Sequence, residues 1–329
     1  MKKKVTISQV AEQAGVSKTT ISRFLNGQYG NMSQETKERI ASVIATLNYR
    51  PNRQAQALKS KRSYLIGVVV ADISNMYSSL LLKGIGTILE KNQYQMIIMD
   101  AANSVKQEHE LLEKLIDQGV EAIILQPSSR NAENYQFIQE YHIPLLLVDR
   151  QTEPAIWPLV TTNNEETVKE ILEKALQKNY HDVVVVSEPL QDVMTREIRY
   201  QTVKQMTEKM GKAHQLLEVE QTTNMKAKVL ELVADTNYHL LFASNGRVLM
   251  ELLTILIEEK INIPEQIGVT GFDDWNLTAL VGPGITSIEQ QSQQIGEVAA
   301  EEIIHFLTLG NELPAEVIVP SKVQWRYSV

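Results

Sequence analysis

The chain has 329 residues, more than a single compact domain commonly holds, with a net charge of −8 and no cysteine. Without cysteine it can carry neither a disulfide framework nor a cysteine-ligated zinc site, and no apolar run approaches the roughly 20 residues of a membrane span. The charge is divided unevenly: residues 1–62 hold 12 Lys and Arg against 3 Asp and Glu, net +9, and the remainder 20 against 37, net −17, a basic polyanion-binding head on an acidic body.

The basic start Met1-Lys2-Lys3-Lys4 runs into a helix pattern and not into an apolar signal core, so a cytoplasmic protein is expected. Thr6, with Gln9 three residues on, reads as a capping box for a first helix whose narrow face is Val10, Ala11 and Ala14. Gly15 suits a tight turn, Val16 plugs the corner, and Ser17 caps a second helix with Ile21, Phe24 and Leu25 on its apolar side. Lys18, Thr19, Ser22 and Arg23 are left pointing outward, as a recognition helix requires if its first turn is to enter a major groove. Ser33 caps a third helix carrying Ile40, Val43, Ile44 and Leu47, which Tyr49-Arg50-Pro51 should end. Asn52 then caps a short segment containing Ala55 and Leu58, followed by the basic Ser60-Lys61-Arg62.

From Tyr64 the pattern alternates strand and helix. Leu65–Val70 is a continuous apolar run, as in a strand buried on both faces of a parallel sheet. Helix 78–91, strand 95–99, helix 106–118, strand 122–125, helix 131–141 and strand 145–148 follow. A second set has strands 183–186, 215–219, 240–242 and 267–270 between helices near 164–179, 196–210, 224–234 and 246–260. Two doubly wound units imply two α/β lobes with a cleft at the carboxyl ends of their strands. Segments 286–288, 317–319 and 323–327 are too short to build a third domain.

Catalytic patterns are lacking. Gly84-Ile85-Gly86 sits within a helix, Gly282-Pro283-Gly284 is a turn, and there is no Walker sequence, nucleophile elbow or HExxH. The six histidines fall in separate segments without metal-ligand spacing. No catalytic residue, cofactor or metal is expected.

Three runs in this order, VTISQVAEQAGVSKTTISRFLNG, LNYRPNRQAQALKS and YLIGVVVADISN, resemble the lactose-repressor (LacI/GalR) family of bacterial regulators over the whole chain. The loop Gly27–Asn31 is one residue longer than that of the lactose repressor itself. The resemblance implies an all-α helix-turn-helix DNA-binding head (1–50), a hinge helix (51–62) and a two-lobed α/β core like the periplasmic binding proteins (63–329). Its N-lobe would comprise about 63–162 and 290–322, and its C-lobe about 163–289 and 323–329, with chain crossings near 162, 290 and 322. It implies a homodimeric repressor on a pseudo-palindromic operator, controlled by a small sugar or sugar-acid effector.

By the same resemblance Lys18, Thr19 and Arg23 match base-reading positions, and Thr6, Ser17, Ser22, Asn26 and Tyr49 match phosphate contacts. Asn52, Ala55 and Leu58 belong to the DNA-contacting hinge, with Leu58 as a minor-groove wedge. Cap or turn duty is the alternative for each hydroxyl, and linker packing against the body the alternative for Leu58. Arg199 and Asp273 match effector-holding residues. Asn245 matches a cleft asparagine, although the aspartate that usually follows it is Gly246 here. Asp149 and Arg150 end a strand at the cleft, as ligand contacts or as a helix cap and an interlobe ion pair, and Tyr77 offers a ring to a sugar face. Arg130, Arg196 and Arg247 in the same loops favour an anionic ligand, because arginine pairs bidentately with carboxylate. With Phe272–Trp275 and Leu280–Thr286 this is similar to the branch regulating ketodeoxygluconate (hexuronate) catabolism, whose effector would be 2-keto-3-deoxygluconate. If Arg196 and Arg247 face solvent, a neutral sugar is expected. The competing classes are a sugar-binding receptor, which would carry a signal peptide and no basic head, and a cleft enzyme.

Overall fold

The computed structural model describes residues 5–30, 32–50, 62–191, 193–220 and 224–329. The chain divides into two compact units, Met1–Ser63 and Tyr64–Val329. The expected hinge residues Asn52, Ala55 and Leu58 lie outside the described residues.

In the first unit three helices, α1 (Ile7–Ala14), α2 (Lys18–Leu25) and α3 (Gln34–Thr46), enclose Val10, Ala11, Ala14, Ile21 and Ile40. Thr6 and Gln9 form the capping box, with Thr6 N donating to Gln9 Oε1 at 2.9 Å and Gln9 N to Thr6 Oγ1 at 3.4 Å. Gly15 turns the chain at φ 63°, a backbone state that strains any residue with a Cβ, and Ser17 Oγ caps α2 by accepting from Thr20 N at 3.1 Å. α3 stops earlier than Pro51 requires. Asn48 takes φ 46°, and Tyr49 N donates back to Ile44 O at 3.0 Å, so the left-handed Asn ends the helix. The long loop after α2 is held by aromatic packing: Phe24 meets Tyr29 edge-on at 5.8 Å, and Lys37 lies over the Tyr29 ring.

The second unit has two parallel sheets. In the first, β1 (Leu65–Val70), β2 (Gln95–Asp100), β3 (Ala122–Leu125), β4 (Leu145–Val148), β5 (Leu159–Thr161) and β11 (Glu316–Ile318) lie in the order β11-β5-β4-β3-β1-β2. α4 (Met76–Lys91) and α10 (Ser292–Leu309) cover one face, and α5 (Val105–Asp117) with the 3₁₀ helix Ala132–Tyr141 the other. The second sheet, β6 (Asp182–Ser187), β7 (Ala213–Glu218), β8 (His239–Ala243) and β9 (Gly268–Gly271), runs β7-β6-β8-β9. α6 (Asn164–Ala175) and α7 (Met194–Lys209) pack on one face, α8 (Met225–Ala234) and α9 (Gly246–Glu258) on the other. Apart from both sheets, β10 (Ser287–Glu289) pairs antiparallel with β12 (Lys322–Gln324). A helix on each face of each sheet is what buries the all-apolar strands.

Three elements differ from expectation. Residues 132–141 form a 3₁₀ and not an α-helix; their buried side chains Ala132, Tyr135 and Ile138 recur every three residues, the period of that helix. β5 was not expected, and its three residues complete the first sheet between β4 and β11. Nor was the 18-residue α10, although Ile295, Ala299, Ile303 and Ile304 recur at helical spacing.

α10 also explains Gly84. It crosses α4 with backbone against backbone: a Cβ on Gly84 would fall 2.0 Å from Gln293 O, and one on Gly296 2.2 Å from Leu81 O. Neither acceptor can move without its helix. A Cβ on Gly86 meets nothing closer than Met96 Cε at 3.5 Å. Gly86→Ala should therefore stabilise the protein by up to about 1 kcal/mol through helix propensity. Gly84→Ala should lose about 1–3 kcal/mol by overpacking. Urea unfolding of the two variants checks the opposite signs; equal shifts would show that the crossing tolerates a methyl group.

Candidate functional site

On the head, the capped start of α2 presents Lys18 and Thr19 with Arg23 one turn later, all exposed, while Ser22 is half-buried. Thr6 and Ser17 spend their hydroxyls on the caps described above, and Ser17 Oγ also bonds Thr20 Oγ1 at 2.9 Å. Asn26 is the exposed C-cap of α2, and Tyr49 is half-buried, its hydroxyl pKa raised by that burial. The face offers a cation at each end of one turn and the free amides of a helix N-terminus, which suits a polyanion.

On the core, the loops that leave the carboxyl ends of the strands converge on one cleft, where small ligands commonly bind in open α/β sheets. Asp72 follows β1, Gln126 β3, Asp149 and Arg150 β4, Glu188 β6, Asn245 β8 and Asp273 β9. The first turns of α4 and α7 add Tyr77, Ser78, Thr195 and Arg196, the second turn of α7 adds Arg199, and Gln290 precedes α10.

Arg199 is the most constrained group. Its side chain is buried, with Nε donating to Asn164 Oδ1 at 2.8 Å, Nη1 to Ser244 O at 2.6 Å and Nη2 to Gln290 Oε1 at 3.2 Å, and its plane lies over the Phe272 ring at 3.6 Å. Burial lowers its pKa, opposed by Asp273 and Asp149. Asp273, equally buried, accepts from Gln290 Nε2 and from Gly246 N at 3.3 Å; burial raises its pKa in spite of Arg199. Asp149, at φ 66°, accepts from Gln126 Nε2 at 2.8 Å. Arg150 Nη1 donates to Pro127 O at 3.1 Å, while its Nε stands 3.7 Å from Asp149, too far for a hydrogen bond. Arg150 Nε and Tyr77 Oη are both buried without a hydrogen-bond partner. Tyr77 sits in the field of Asp149, Asp273, Arg199 and Arg150, and its pKa is raised well above that of a free phenol, first by burial.

At the mouth, Glu188 joins Arg196, Asn245 and Arg247, and Arg247 reaches across to Asp72. Burial pushes the Arg196 pKa down to about 10 against the pull of Glu188.

The structure thus brings Tyr77, Asp149, Arg150, Arg196, Arg199, Asn245, Arg247 and Asp273 to one cavity. Arg130 it does not. That side chain pairs with Glu153 at 2.5 Å, because the 129–131 loop runs beside the 151–154 loop and exchanges backbone bonds with it. The interlobe ion pair belongs to Arg247, since Arg150 bonds only within its own lobe; Asp149 caps no helix but receives Gln126. Asp72, Gln126 and Glu188 were missed, yet each directly follows a strand or lies two residues beyond one, the rule that finds ligand loops in open α/β sheets. Gln290 also directly follows a strand, but β10 belongs to an antiparallel pair outside the two parallel sheets, where that rule does not apply.

Residues 6–52 match the model of the bacterial regulatory proteins of the lacI family, and residues 172–329 that of the periplasmic binding protein-like domain. The HTH-type transcriptional regulator KdgR of Bacillus subtilis is 35% identical over 340 residues, covering 100% of both chains. The chain belongs to the lacI family. PtxS of Pseudomonas plecoglossicida, another HTH-type regulator, is 32% identical over 95% of this chain and 92% of its own. The lac repressor dimer bound to operator and the anti-inducer ONPF shares the fold, at a TM-score of 0.86 and 20% identity over 99% of both chains. As a lacI-family member the chain is a sequence-specific DNA-binding transcriptional regulator. Among the described residues no helix is long and apolar enough to cross a membrane, and no group of acidic and histidine side chains is arranged to hold a metal.

Its departure from the family pattern at Gly246 is filled by a neighbour. The indole of Trp275 lies against Gly246, and a Cβ there would fall 2.3 Å from Trp275 Cη2. Gly246→Ala should cost about 1–3 kcal/mol by overpacking. Combined with Trp275→Leu, the loss should be smaller than the sum of the single losses by at least about 0.5 kcal/mol. Denaturant unfolding of the three variants measures this, and strict additivity would disprove the contact.

Proposed function

We propose that the chain is a cytoplasmic, non-enzymatic repressor of carbohydrate or sugar-acid catabolic genes. As a homodimer it holds a pseudo-palindromic operator, and a sugar-acid effector, 2-keto-3-deoxygluconate being the first candidate, releases it. The head would read bases with Lys18, Thr19 and Arg23 and take register from phosphates through Thr6, Ser17, Ser22, Asn26 and Tyr49. Asn52, Ala55 and Leu58 would contact the DNA between the heads, with Leu58 as the wedge. A dimer is supported by the matched lac repressor, whose structure is that of a dimer bound to operator.

The observation that carries the effector reading is the pair of buried donors without acceptors, Tyr77 Oη and Arg150 Nε, on the same floor as two carboxylates, Asp149 and Asp273. Leaving buried donors unmade costs about 1–3 kcal/mol each, which a ligand acceptor removes. A carboxylate on Arg150 and Tyr77, with neighbouring hydroxyls donating to Asp149 and Asp273, uses both halves of the floor, and a polyhydroxy acid carries both groups. A neutral sugar satisfies the acids but brings no charged acceptor to Arg150 Nε, whose nearest carboxylate, Asp149, stands 3.7 Å away.

A thermal-shift panel separates the two. At about 100 times its dissociation constant a ligand adds roughly 2.7 kcal/mol to the folded state. The keto-acid should raise the melting temperature and weaken binding to selected operator DNA, whereas neutral hexoses should do neither, and Arg199→Ala should abolish both effects. A shift with neutral sugars alone would discard the acid effector.

Acid should weaken effector binding, because hydroxyl donation to Asp273 requires its ionised form, and burial raises its pKa above the usual value of about 3.9. Below the raised value the ligand must also displace a proton, and affinity should fall about tenfold per pH unit. Calorimetric titrations carried from pH 7 down through the ordinary carboxyl value of about 3.9 test this; a dissociation constant that begins to rise only at or below that ordinary value would remove Asp273 as the ionised acceptor.

A further inference from the structure

The mouth of the cleft holds a second set of anion-binding donors, and one of the chain's own carboxylates occupies it. Glu188 Oε2 accepts from Asn245 Nδ2 at 2.9 Å and from Arg196 Nη2, and its Oε1 accepts from Arg247 Nη1 at 3.3 Å. Two guanidiniums and a carboxamide converging on one point are a donor set for phosphate or carboxylate, since each guanidinium presents its N–H groups in a fixed fork. Arg196 is fixed in this aim by a second bond, Nη1 to Pro189 O at 3.0 Å, and Asn245 by capping α9 through Val248 N at 3.0 Å. The Arg196 and Glu188 side chains are only 15% and 23% exposed, so water does not easily replace one partner.

Resting on the sugar-acid reading, we infer that Glu188 is a built-in surrogate anion that sets the effector's charge. The cleft accepts one acidic group, on the floor, and refuses a ligand bearing a second at its other end. On the floor Arg150 and Arg199 face Asp149 and Asp273; at the mouth Arg196 and Arg247 face Glu188 and Asp72. A ligand carboxylate meets unsatisfied donors on the floor. Carboxylates stand at both places, but a ligand phosphate at the mouth must displace Glu188 and Asp72 from Arg196, Asn245 and Arg247, whereas on the floor Arg150 Nε and Tyr77 Oη have no hydrogen bond to give up. The device separates a free sugar acid from its phosphorylated ester, molecules that share every other feature.

The test measures dissociation constants by calorimetry for 2-keto-3-deoxygluconate and its 6-phosphate, on the parent, Glu188→Gln and Glu188→Ala. The parent should bind the unphosphorylated acid at least tenfold more tightly. Glu188→Gln should reduce that ratio at least tenfold, and Glu188→Ala further, because it also vacates the space. A merely structural role would weaken both ligands alike and leave the ratio where it was. The inference is overturned if the parent binds the ester as well as the acid, or if both variants keep the parent's ratio. Should a melting curve show a variant unfolded, the parent's own preference decides. Failure of the parent to bind either compound removes the sugar-acid reading and this inference with it, whereas tight, unselective binding of both removes only the role of Glu188.

Discussion

A guanidinium withdrawn from water must have its donors satisfied, and that requirement organises the core around Arg199. Its three bonds go to Asn164, Ser244 and Gln290, which lie 35, 45 and 91 residues away in sequence. Asn164 opens α6 directly after the chain leaves β5, and Gln290 stands where it enters α10. The buried cation therefore ties the segments by which the chain passes between its two sheets to the end of a central strand. Three of its partners are neutral, so its charge is balanced only at a distance by Asp149 and Asp273. An anion brought to this floor meets a cation without a tight counter-ion, at a place where a change in bonding is felt by both passages.

The helices attached to those passages are locked to each other by their packing. α4 starts at the cleft with Tyr77 and Ser78, and α10 starts just after Gln290. Their crossing at Gly84 and Gly296 leaves no layer of side chains between the backbones. Side chains adjust by changing rotamer, but carbonyl oxygens at van der Waals distance do not, so the two helices shift together or not at all. Arg247, bound to Glu188 on its own side and to Asp72 on the other, is the ion pair that spans the mouth above them.

Much of this was legible in the sequence where a local cause decides local structure. Thr6, Ser17 and Ser33 each cap a helix because a short hydroxyl side chain reaches a free amide three residues on, and Leu65–Val70 is apolar throughout because helices cover both faces. The site residues at strand ends follow from the same geometry, since parallel strands of one sheet deliver their carboxyl ends to one edge. The failures share a different cause. Arg130 carries the same charge as Arg150 and lies only a few residues beyond β3, yet the pairing of two loops turns it to Glu153. The role of Glu188 depends on three side chains 8, 57 and 59 residues away, a meeting that no spacing announces.

Gly246 shows how a departure from a family pattern should be weighed. Read along the chain, glycine in place of an acid removes one polar contact from the cleft. In three dimensions the position has changed partners: Trp275, two residues beyond Asp273, covers it, and the Gly246 amide donates to Asp273 itself. Any side chain at this point would be driven into the Trp275 ring, where glycine leaves the space free. The Gly246 amide that reaches Asp273 is a backbone donor that any residue but proline would supply, so what glycine itself provides is room for the indole. A departure that along the chain reads only as a missing polar group is, in the folded protein, the condition for packing Trp275 at this position.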